Sequence, residues 1–497
     1  MCLGVEPLLR REQHLQHPAA VHDRAAPPAG AGEEDVGRGT REGGRVLSDP
    51  IVALATPPGR SAIALIRLSG RGAFDVAARV LHPFRPAPPR AVRRVRVMHP
   101  ATGEPVDDAL VACFPAPRSY TGDDLVELST HGGLLVPAAA VAALLAAGAR
   151  PAAPGEFSRR AVLNGKLDLL QAEATADMID AGSPAQARRA LQQLDRGLSQ
   201  RLEQLRAELI ELEALIAYEI DFPEEDEGPV APERVERAWG AARERIAQLI
   251  ATAPEGERLR EGALLVIAGR PNAGKSSLFN ALLGRERAIV TEVPGTTRDA
   301  IEAYAVLEGF PFRLVDTAGL RESDDRVERL GIDVARRYLD AADLILFCED
   351  AGDEGRGTGD GTDRAAFLAA CRAPVVAVRT KADLLPVPRP SSPVPVVSVV
   401  TGEGLAELRR KLAEVAYGRL LALGDVEPVV TRARHREALE RAFAEVNAFR
   451  EARESGVDAA AAATHLRAAL GALDDLIGVV TPDAVLDRVF ATFCVGK

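Results

Sequence analysis

The segment Gly269-Arg270-Pro271-Asn272-Ala273-Gly274-Lys275-Ser276 constrains the fold of this chain more than any other part of it. It fits the pattern G-x-x-x-x-G-K-[ST] and stands between an apolar stretch, Ala263–Ala268, and a helix-like stretch, Ser277–Leu283. A strand, a glycine-rich loop and a helix in this order turn backbone N–H groups toward a phosphate at a helix N-terminus. The segment therefore predicts a doubly wound α/β unit that binds a nucleotide.

Four residues, two in this segment and two after it, have the chemistry that a phosphate site with Mg²⁺ needs. Lys275 is predicted to place its charge on the β- and γ-phosphates, and Ser276 to ligate Mg²⁺. Asp316-Thr317-Ala318-Gly319 follows the apolar strand Arg313–Val315, so Asp316 can hold the Mg²⁺ shell and the N–H of Gly319 can sense the γ-phosphate.

The stretch Thr291–Asp299, rich in Gly and Thr, lies between these two motifs. It suits a switch loop, in which Thr297 is predicted to complete the Mg²⁺ ligands. The order of phosphate loop, switch and Asp-x-x-Gly is typical of a GTPase.

A base-recognition segment is predicted after the strand Pro374–Val378, at Thr380-Lys381-Ala382-Asp383. The Asp383 carboxylate can accept from guanine N1–H and its amino group, which adenine cannot offer in that arrangement. Thr380 stands where Asn is commoner. Ser398–Gly402 is a loose match to the last guanine-side loop. The predicted GTP-binding residues are Asn272, Ala273, Gly274, Lys275, Ser276, Ser277, Thr291, Glu292, Val293, Pro294, Gly295, Thr296, Thr297, Asp316, Thr317, Ala318, Gly319, Thr380, Lys381, Asp383 and Ser398.

The residue that positions the attacking water is not evident from the motifs. Small GTPases place a Gln after Asp-x-x-Gly, but this chain has Leu320. Glu328 is the nearest suitable carboxylate, although an exposed helix charge explains it equally well. Glu328, Lys275 and Thr297 are the predicted catalytic residues.

Length and periodicity indicate several domains. The chain has 497 residues, which suggests two to four domains. Strands are predicted at 51–55, 62–68, 91–98, 109–114 and 125–129, with a helix over 137–147. A leucine stripe from Leu191 to Ile216 predicts one long amphipathic helix, and further helices are expected at 232–253, 432–452 and 459–477. Thr481-Pro482 should start the last helix.

Helical blocks thus flank the α/β unit, which predicts that this unit is inserted into a helical domain with its ends close together. The predicted boundaries are 1–47 for an extension that is disordered or follows a misassigned start, 48–158 for an N-terminal α+β domain, 159–260 and 418–497 for the two parts of the helical domain, and 261–417 for the G domain.

Charge and cysteine usage narrow the class of protein. The formal net charge is −11, so any RNA binding needs a local basic patch or a partner. Five cysteines without CxxC spacing indicate a reduced, cytoplasmic protein. No apolar run is long enough to span a bilayer. The Gly/Asp-rich stretch 349–363 lacks the spacing of a calcium loop and is predicted to be solvated.

The motifs together resemble the MnmE (TrmE) family of tRNA-modification GTPases. Outside the G-domain motifs the resemblance rests on five segments, which are Ala55–Arg60, Ser119–Asp123, Pro154–Phe157, Leu163–Leu169 and the terminal Phe493-Cys494-Val495-Gly496-Lys497. It covers about Ser48 to Lys497.

The resemblance implies a homodimer whose N-terminal domain dimerises and binds a tetrahydrofolate derivative as one-carbon donor. It also implies a partner, MnmG, which uses FAD and NADH and forms a heterotetramer with the dimer. Together they would install an aminomethyl-type group at C5 of the wobble uridine of tRNA, in a cycle that GTP hydrolysis drives.

The resemblance also assigns residues. It implies a K⁺ ion at Asn272, Thr291, Val293 and Thr296, and it gives Glu328 the water-positioning role. Folate contacts fall on Arg67, Glu127, Lys166 and Lys497. Cys494 matches a family cysteine, and a part in the modification chemistry is left open.

The sequence argues against two other classes of protein. A GTPase switch that docks on the ribosome or RNA would usually carry a basic module after its G domain, whereas mixed-charge helices follow Tyr417. A dynamin-like membrane GTPase would need a basic amphipathic helix or an apolar anchor, which the sequence lacks.

Overall fold

The structure is a computed structural model that describes residues 41–42, 45–46, 48–85, 91–221, 231–284, 302–317, 334, 336–353, 369, 371–385, 394–424, 428–478 and 483–496. The chain divides into two compact units, Met1–Leu47 and Ser48–Lys497. The first contains an antiparallel pair, β1 (Arg41–Glu42) and β2 (Arg45–Val46). The predicted disorder of residues 1–47 otherwise concerns residues outside the described ranges.

The second unit begins with a seven-stranded sheet and two helices. The strands and helices in chain order are β3 (Ile51–Leu54), β4 (Gly59–Ser69), α1 (Ala73–Val80), β5 (Leu81–His82), β6 (Val92–Met98), β7 (Pro105–Phe114), β8 (Leu125–Gly133), α2 (Leu135–Ala146) and β9 (Arg150–Pro151). The spatial order is β5-β6-β7-β8-β4-β3-β9, and only the β3–β9 pair is parallel. The core lies between one face of this sheet and the two helices. The five predicted strands and the helix are confirmed.

Helices continue the chain. They are α3 (Glu156–Leu163), α4 (Leu169–Asp180), α5 (Pro184–Leu194), α6 (Gly197–Asp221), α7 (Pro232–Ile250) and α8 (Ala253–Glu261). The single long helix predicted from Leu191 is wrong, because Arg196 adopts the left-handed conformation at φ 66° and separates α5 from α6. Only the leucines from Leu198 onward are buried in one stripe, whereas Leu191 is 49% exposed. The helix predicted over 232–253 likewise ends at Ile250.

The α/β unit is built on a five-stranded sheet. Its elements are β10 (Ala263–Gly269), α9 (Lys275–Leu283), β11 (Glu302–Leu307), β12 (Phe310–Asp316), β13 (Leu344–Asp350), β14 (Val375–Thr380) and α10 (Leu405–Leu423). The order is β11-β12-β10-β13-β14, parallel except for the β11–β12 hairpin. Strand β10 is central and almost wholly buried, as its unbroken apolar run predicts. The predicted loop 349–363 is described only to 353, where β13 includes its first two residues and a 3₁₀ turn, Ala351–Asp353, follows.

The last helices return to the first helical block. They are α11 (Ala433–Glu454), α12 (Ala459–Ile477) and α13 (Asp483–Phe490), and α6, α7, α11 and α12 share one apolar core. The two ends of the insertion meet where Val430 N–H donates to the Thr252 hydroxyl at 3.0 Å. The chain therefore combines an α+β domain, a discontinuous helical domain and an inserted doubly wound domain. Among the described residues no helix is long and apolar enough to cross a membrane.

Candidate nucleotide and folate sites

The phosphate loop joins β10 to α9 and turns tightly at two glycines. Gly269 has φ 144°, and a Cβ there would lie 2.3 Å from the Cys348 carbonyl oxygen on β13. Gly274 has φ 75°, which a side chain would strain. Both positions therefore require glycine, and they shape the loop that leads into the N-terminus of α9.

Lys275 begins α9 and is 7% exposed. Its Nζ donates to the Arg270 carbonyl oxygen at 2.7 Å, so the ammonium lies inside the curve of the loop. Burial raises the pKa of the neighbouring Cys348 thiol to about 12, although the charge of Lys275 opposes this shift. The loop thus holds a cation where phosphate oxygens would enter. Ser276 and Ser277 are exposed on the first turn of α9.

Asp316 ends β12 at the same edge of the sheet. The parallel register pairs it with Ile267 of β10, and the Thr317 hydroxyl donates to the Ile267 carbonyl oxygen at 2.8 Å. The carboxyl ends of β10 and β12 are neighbours, so Asp316 and the phosphate loop lie at one edge.

The predicted base-recognition segment begins at the end of β14 and contacts the phosphate loop. The Thr380 hydroxyl lies 2.9 Å from the Ala273 carbonyl oxygen. Asp383 accepts a hydrogen bond of 2.6 Å from the buried Ser398 hydroxyl, which orients its carboxylate. The structure therefore brings Ala273, Thr380, Asp383 and Ser398 together.

Asp350 is a residue of this site that the motifs did not indicate. Its carboxylate accepts from the Lys381 ammonium at 2.6 Å, and that bond lowers the pKa of Asp350. It pairs in register with Thr380 across β13 and β14. Its position at the carboxyl end of a parallel strand is the signal that could have identified it.

Several predicted residues lie outside the described ranges. They are Thr291, Glu292, Val293, Pro294, Gly295, Thr296, Thr297, Ala318, Gly319, Glu328 and Lys497.

Two of the predicted folate residues, Arg67 and Lys166, contact the loop between β7 and β8. Arg67 and Glu127 are cross-strand neighbours on β4 and β8, joined by an Nε–Oε1 ion pair of 2.9 Å. The Arg67 guanidinium lies 5.4 Å from the centre of the Tyr120 ring. Lys166 donates to the Pro117 carbonyl oxygen at 3.0 Å. Arg67 and Glu127 thus contact each other, and Lys166 contacts the same loop from the helical side.

The C-terminal segment after α13 packs against the N-terminal domain. The Cys494 carbonyl oxygen accepts from Gly155 N–H at 3.4 Å, and the cysteine side chain is exposed. A Cβ on Gly496 would lie 2.7 Å from the Leu54 carbonyl oxygen. Glu156 follows Gly155 in the chain. Burial tends to raise the pKa of Glu156, but hydrogen bonds from Arg150, Ala153 N–H and Arg160 lower it to about 2.

Comparison with known proteins covers nearly the whole second unit. The model of the MnmE helical domain matches residues 169–494, and that of the GTP-binding protein TrmE N-terminus matches residues 50–166. The tRNA modification GTPase MnmE of Heliobacterium modesticaldum is 41% identical over 91% of this chain and 100% of its own length. The chain belongs to the MnmE family. The tRNA modification GTPase MnmE of a Thermus thermophilus strain is 43% identical over the same shares.

Membership of the MnmE family makes the chain a GTP hydrolase of tRNA modification. The sequence resemblance to this family is therefore confirmed. Among solved structures, the G domain of the T. maritima FeoB iron transporter is similar over 31% of this chain and 98% of that one, with 28% identity and a TM-score of 0.22. So low a TM-score adds nothing to the MnmE assignment.

Proposed function

We propose that this chain is a K⁺-activated GTPase of the cytoplasm that acts with an MnmG-like flavoprotein on tRNA. The pair would add an aminomethyl or carboxymethylaminomethyl group at C5 of the wobble uridine, with a tetrahydrofolate derivative as one-carbon donor. FAD and NADH would bind the partner only. The observation that carries the G-site assignment is the contact between Thr380 and Ala273, which brings the base segment to the phosphate loop. The domain boundaries at 158, 260 and 417 are part of the proposal.

In the G site, Lys275 would neutralise the phosphates and Ser276, with Thr297, would ligate Mg²⁺. The metal would supply charge stabilisation on the β- and γ-oxygens. The exposed hydroxyl of Ser276, on the first turn of α9 and at the same sheet edge as Asp316, fits an oxygen-ligated divalent cation. Asp383, oriented by Ser398, would bind guanine.

The K⁺ site would use Asn272 with oxygens of Thr291, Val293 and Thr296. Asn272 is exposed at the tip of the phosphate loop with φ 63°, so its amide oxygen is accessible to a cation. A cation there would offset charge on the leaving phosphate. GTP turnover should be much faster in KCl than in NaCl at equal ionic strength, and Asn272→Ala should remove the difference. Equal rates in both salts for the unmodified protein would disprove K⁺ activation.

Glu328 would position the attacking water. Glu328→Ala should leave GTP affinity nearly unchanged and abolish most hydrolysis, while Glu322→Ala serves as a neighbouring control. Normal turnover in the Glu328 variant would remove this residue from the mechanism.

Folate binding would require opening the Arg67–Glu127 pair or sharing it with the ligand. Arg67 and Lys166 would meet the carboxylates, with Lys497 near the same pocket, and Glu127 would accept from pterin N–H groups. Calorimetric titration with 5-formyltetrahydrofolate should show binding that Arg67→Ala and Lys166→Ala weaken. Arg372→Ala, an exposed arginine of the α/β unit, is the control. Unchanged affinity in both variants would place the folate elsewhere. Cys494 is proposed to serve the modification chemistry.

The homodimer would form through the N-terminal domain. That domain exposes several large apolar side chains, namely Ile63, Val92, Leu110, Leu134 and Leu135, the last being 80% exposed. We infer that some of these exposed side chains are covered by the second copy of the chain. Sedimentation equilibrium should give a dimer, and Leu135→Asp should give a monomer. Val400→Asp, a change at an equally exposed site far along the chain, should leave the dimer intact.

A further inference from the structure

Thr380 stands where a base-recognition segment more often has asparagine. Its hydroxyl lies 2.9 Å from the Ala273 carbonyl oxygen in the phosphate loop and 3.1 Å from the Glu349 carbonyl oxygen on β13. The residue is 1% exposed. A Cβ built on Gly274 would lie 3.4 Å from the same hydroxyl. The side chain is therefore enclosed between the loop and the strand.

The Thr380 hydroxyl has too few hydrogens to donate to a bound base as well as to the protein. A threonine hydroxyl has one hydrogen, and both neighbouring oxygens are carbonyls that can only accept. The hydrogen must go to one carbonyl or the other. N7 and O6 of guanine are acceptors too, so Thr380 has no donor left for them. An asparagine amide has two N–H hydrogens and could serve the loop and the base together.

We propose that Thr380 is a positioning residue that ties the phosphate loop to β13 and makes no contact with N7 of the base. Guanine would then be selected on its opposite edge, through N1–H and the amino group, by Asp383. The Ser398 hydroxyl, 2.6 Å from the Asp383 carboxylate, fixes the acceptor that makes this selection. This inference rests on the proposed guanine site and adds that N7 of the base receives no hydrogen bond from Thr380.

The test compares GDP with 7-deaza-GDP, which lacks the N7 acceptor, by calorimetric titration of the full chain. The unmodified protein should bind both with dissociation constants within about 2-fold, since no hydrogen bond is lost. Thr380→Asn should favour GDP over 7-deaza-GDP by about 2- to 10-fold, the value of one hydrogen bond. Discrimination of about 5-fold or more by the unmodified protein would overturn the proposal.

Two further variants separate positioning from recognition. Thr380→Ser keeps the hydroxyl, so its affinities for GDP and 7-deaza-GDP, and their ratio, should equal those of the unmodified protein. Thr380→Ala should weaken both nucleotides equally, because it releases the loop, and a change in their ratio would contradict the proposal. Asp383→Asn should shift preference from GDP to XDP. Failure of that shift would refute the guanine site itself, whatever the 7-deaza comparison gives.

Discussion

The Tyr304 hydroxyl on β11 donates a 2.9 Å hydrogen bond to the Gln186 side-chain oxygen on α5. The same oxygen accepts from Gly182 N–H at 3.0 Å, and the Gln186 amide donates to the Arg260 carbonyl oxygen at 2.9 Å. Strand β11 begins three residues after the predicted switch loop ends at Asp299. Gln186 therefore connects α5 with the end of α8, where the predicted insertion begins, and with β11, which follows the predicted switch segment in the sequence.

Removing this hydroxyl should cost stability. Burial raises the pKa of Tyr304 to about 12, although its hydrogen bond with Gln186 opposes the shift, so the phenol is a donor at neutral pH. Tyr304→Phe should lower the free energy of unfolding by about 1 kcal/mol, and Gln186→Ala should lower it further because it ends three hydrogen bonds. Urea denaturation of both single variants and the double variant gives the coupling between them. Strict additivity would show that the contact contributes nothing.

A second prediction concerns nucleotide affinity. Lys275→Ala removes the ammonium group that lies inside the curve of the phosphate loop. This change should weaken GDP binding by about 10- to 100-fold. Lys411→Ala, at an exposed position on α10, should leave the affinity unchanged. Calorimetric titration measures both. Tight GDP binding by the Lys275 variant would contradict the phosphate-loop assignment.

Local signals made the phosphate loop predictable. An apolar run, a glycine motif and a helix follow one another within about twenty residues, so no long-range contact is needed to infer their arrangement. The break at Arg196 could not be inferred in this way. Leu191, Leu194 and Leu198 keep helical spacing across it, and periodicity does not report a single left-handed residue.

Contacts that depend on the register of neighbouring strands could not be predicted from the sequence either. The pairing of Arg67 with Glu127 requires the alignment of β4 with β8, and that of Lys381 with Asp350 requires the position of β13 beside β14. The family resemblance named Arg67 and Glu127 separately and the base-recognition motif named Lys381, whereas nothing in the sequence analysis indicated Asp350. Only the packed sheets place each beside its partner.

A third prediction is a pH dependence of stability in the helical domain. His435 is fully buried, its Nε2 lies 2.6 Å from the Glu173 carboxylate, and its Nδ1 has no hydrogen-bond partner among the described residues. Burial lowers the pKa of His435 despite Glu173, and nearby Arg434 and Arg432 act in the same direction as burial.

In the unfolded chain His435 binds a proton near pH 6.5, whereas in the folded chain it stays neutral to a lower pH. The free energy of unfolding should therefore fall as the pH drops below about 6.5. One proton gives a slope of at most about 1.4 kcal/mol per pH unit. Urea denaturation between pH 7.5 and 5 should show a smaller slope for His435→Gln, which keeps a donor toward Glu173. His465→Gln, at a surface pair with Glu445, is the control. An identical slope in the His435 variant would mean that this imidazole does not titrate on unfolding.

The last prediction tests how the C-terminal segment is held. Gly155 and Gly165 share φ 65°, but their surroundings differ. A Cβ on Gly155 would lie 2.9 Å from the Phe490 carbonyl oxygen and from the Phe493 Cβ, whereas nothing lies within 4 Å of a Cβ on Gly165. In both alanine variants the left-handed backbone should lower the free energy of unfolding by about 1 kcal/mol.

Only Gly155→Ala should also displace the segment that carries Cys494. Hydrogen exchange over residues 483–496 should therefore accelerate in Gly155→Ala and stay at the parent rate in Gly165→Ala. The free energy of unfolding should fall further for Gly155→Ala, by the amount of packing lost around Phe490 and Phe493. Equal exchange in the two variants would mean that the close approach at Gly155 does not hold the C-terminal segment.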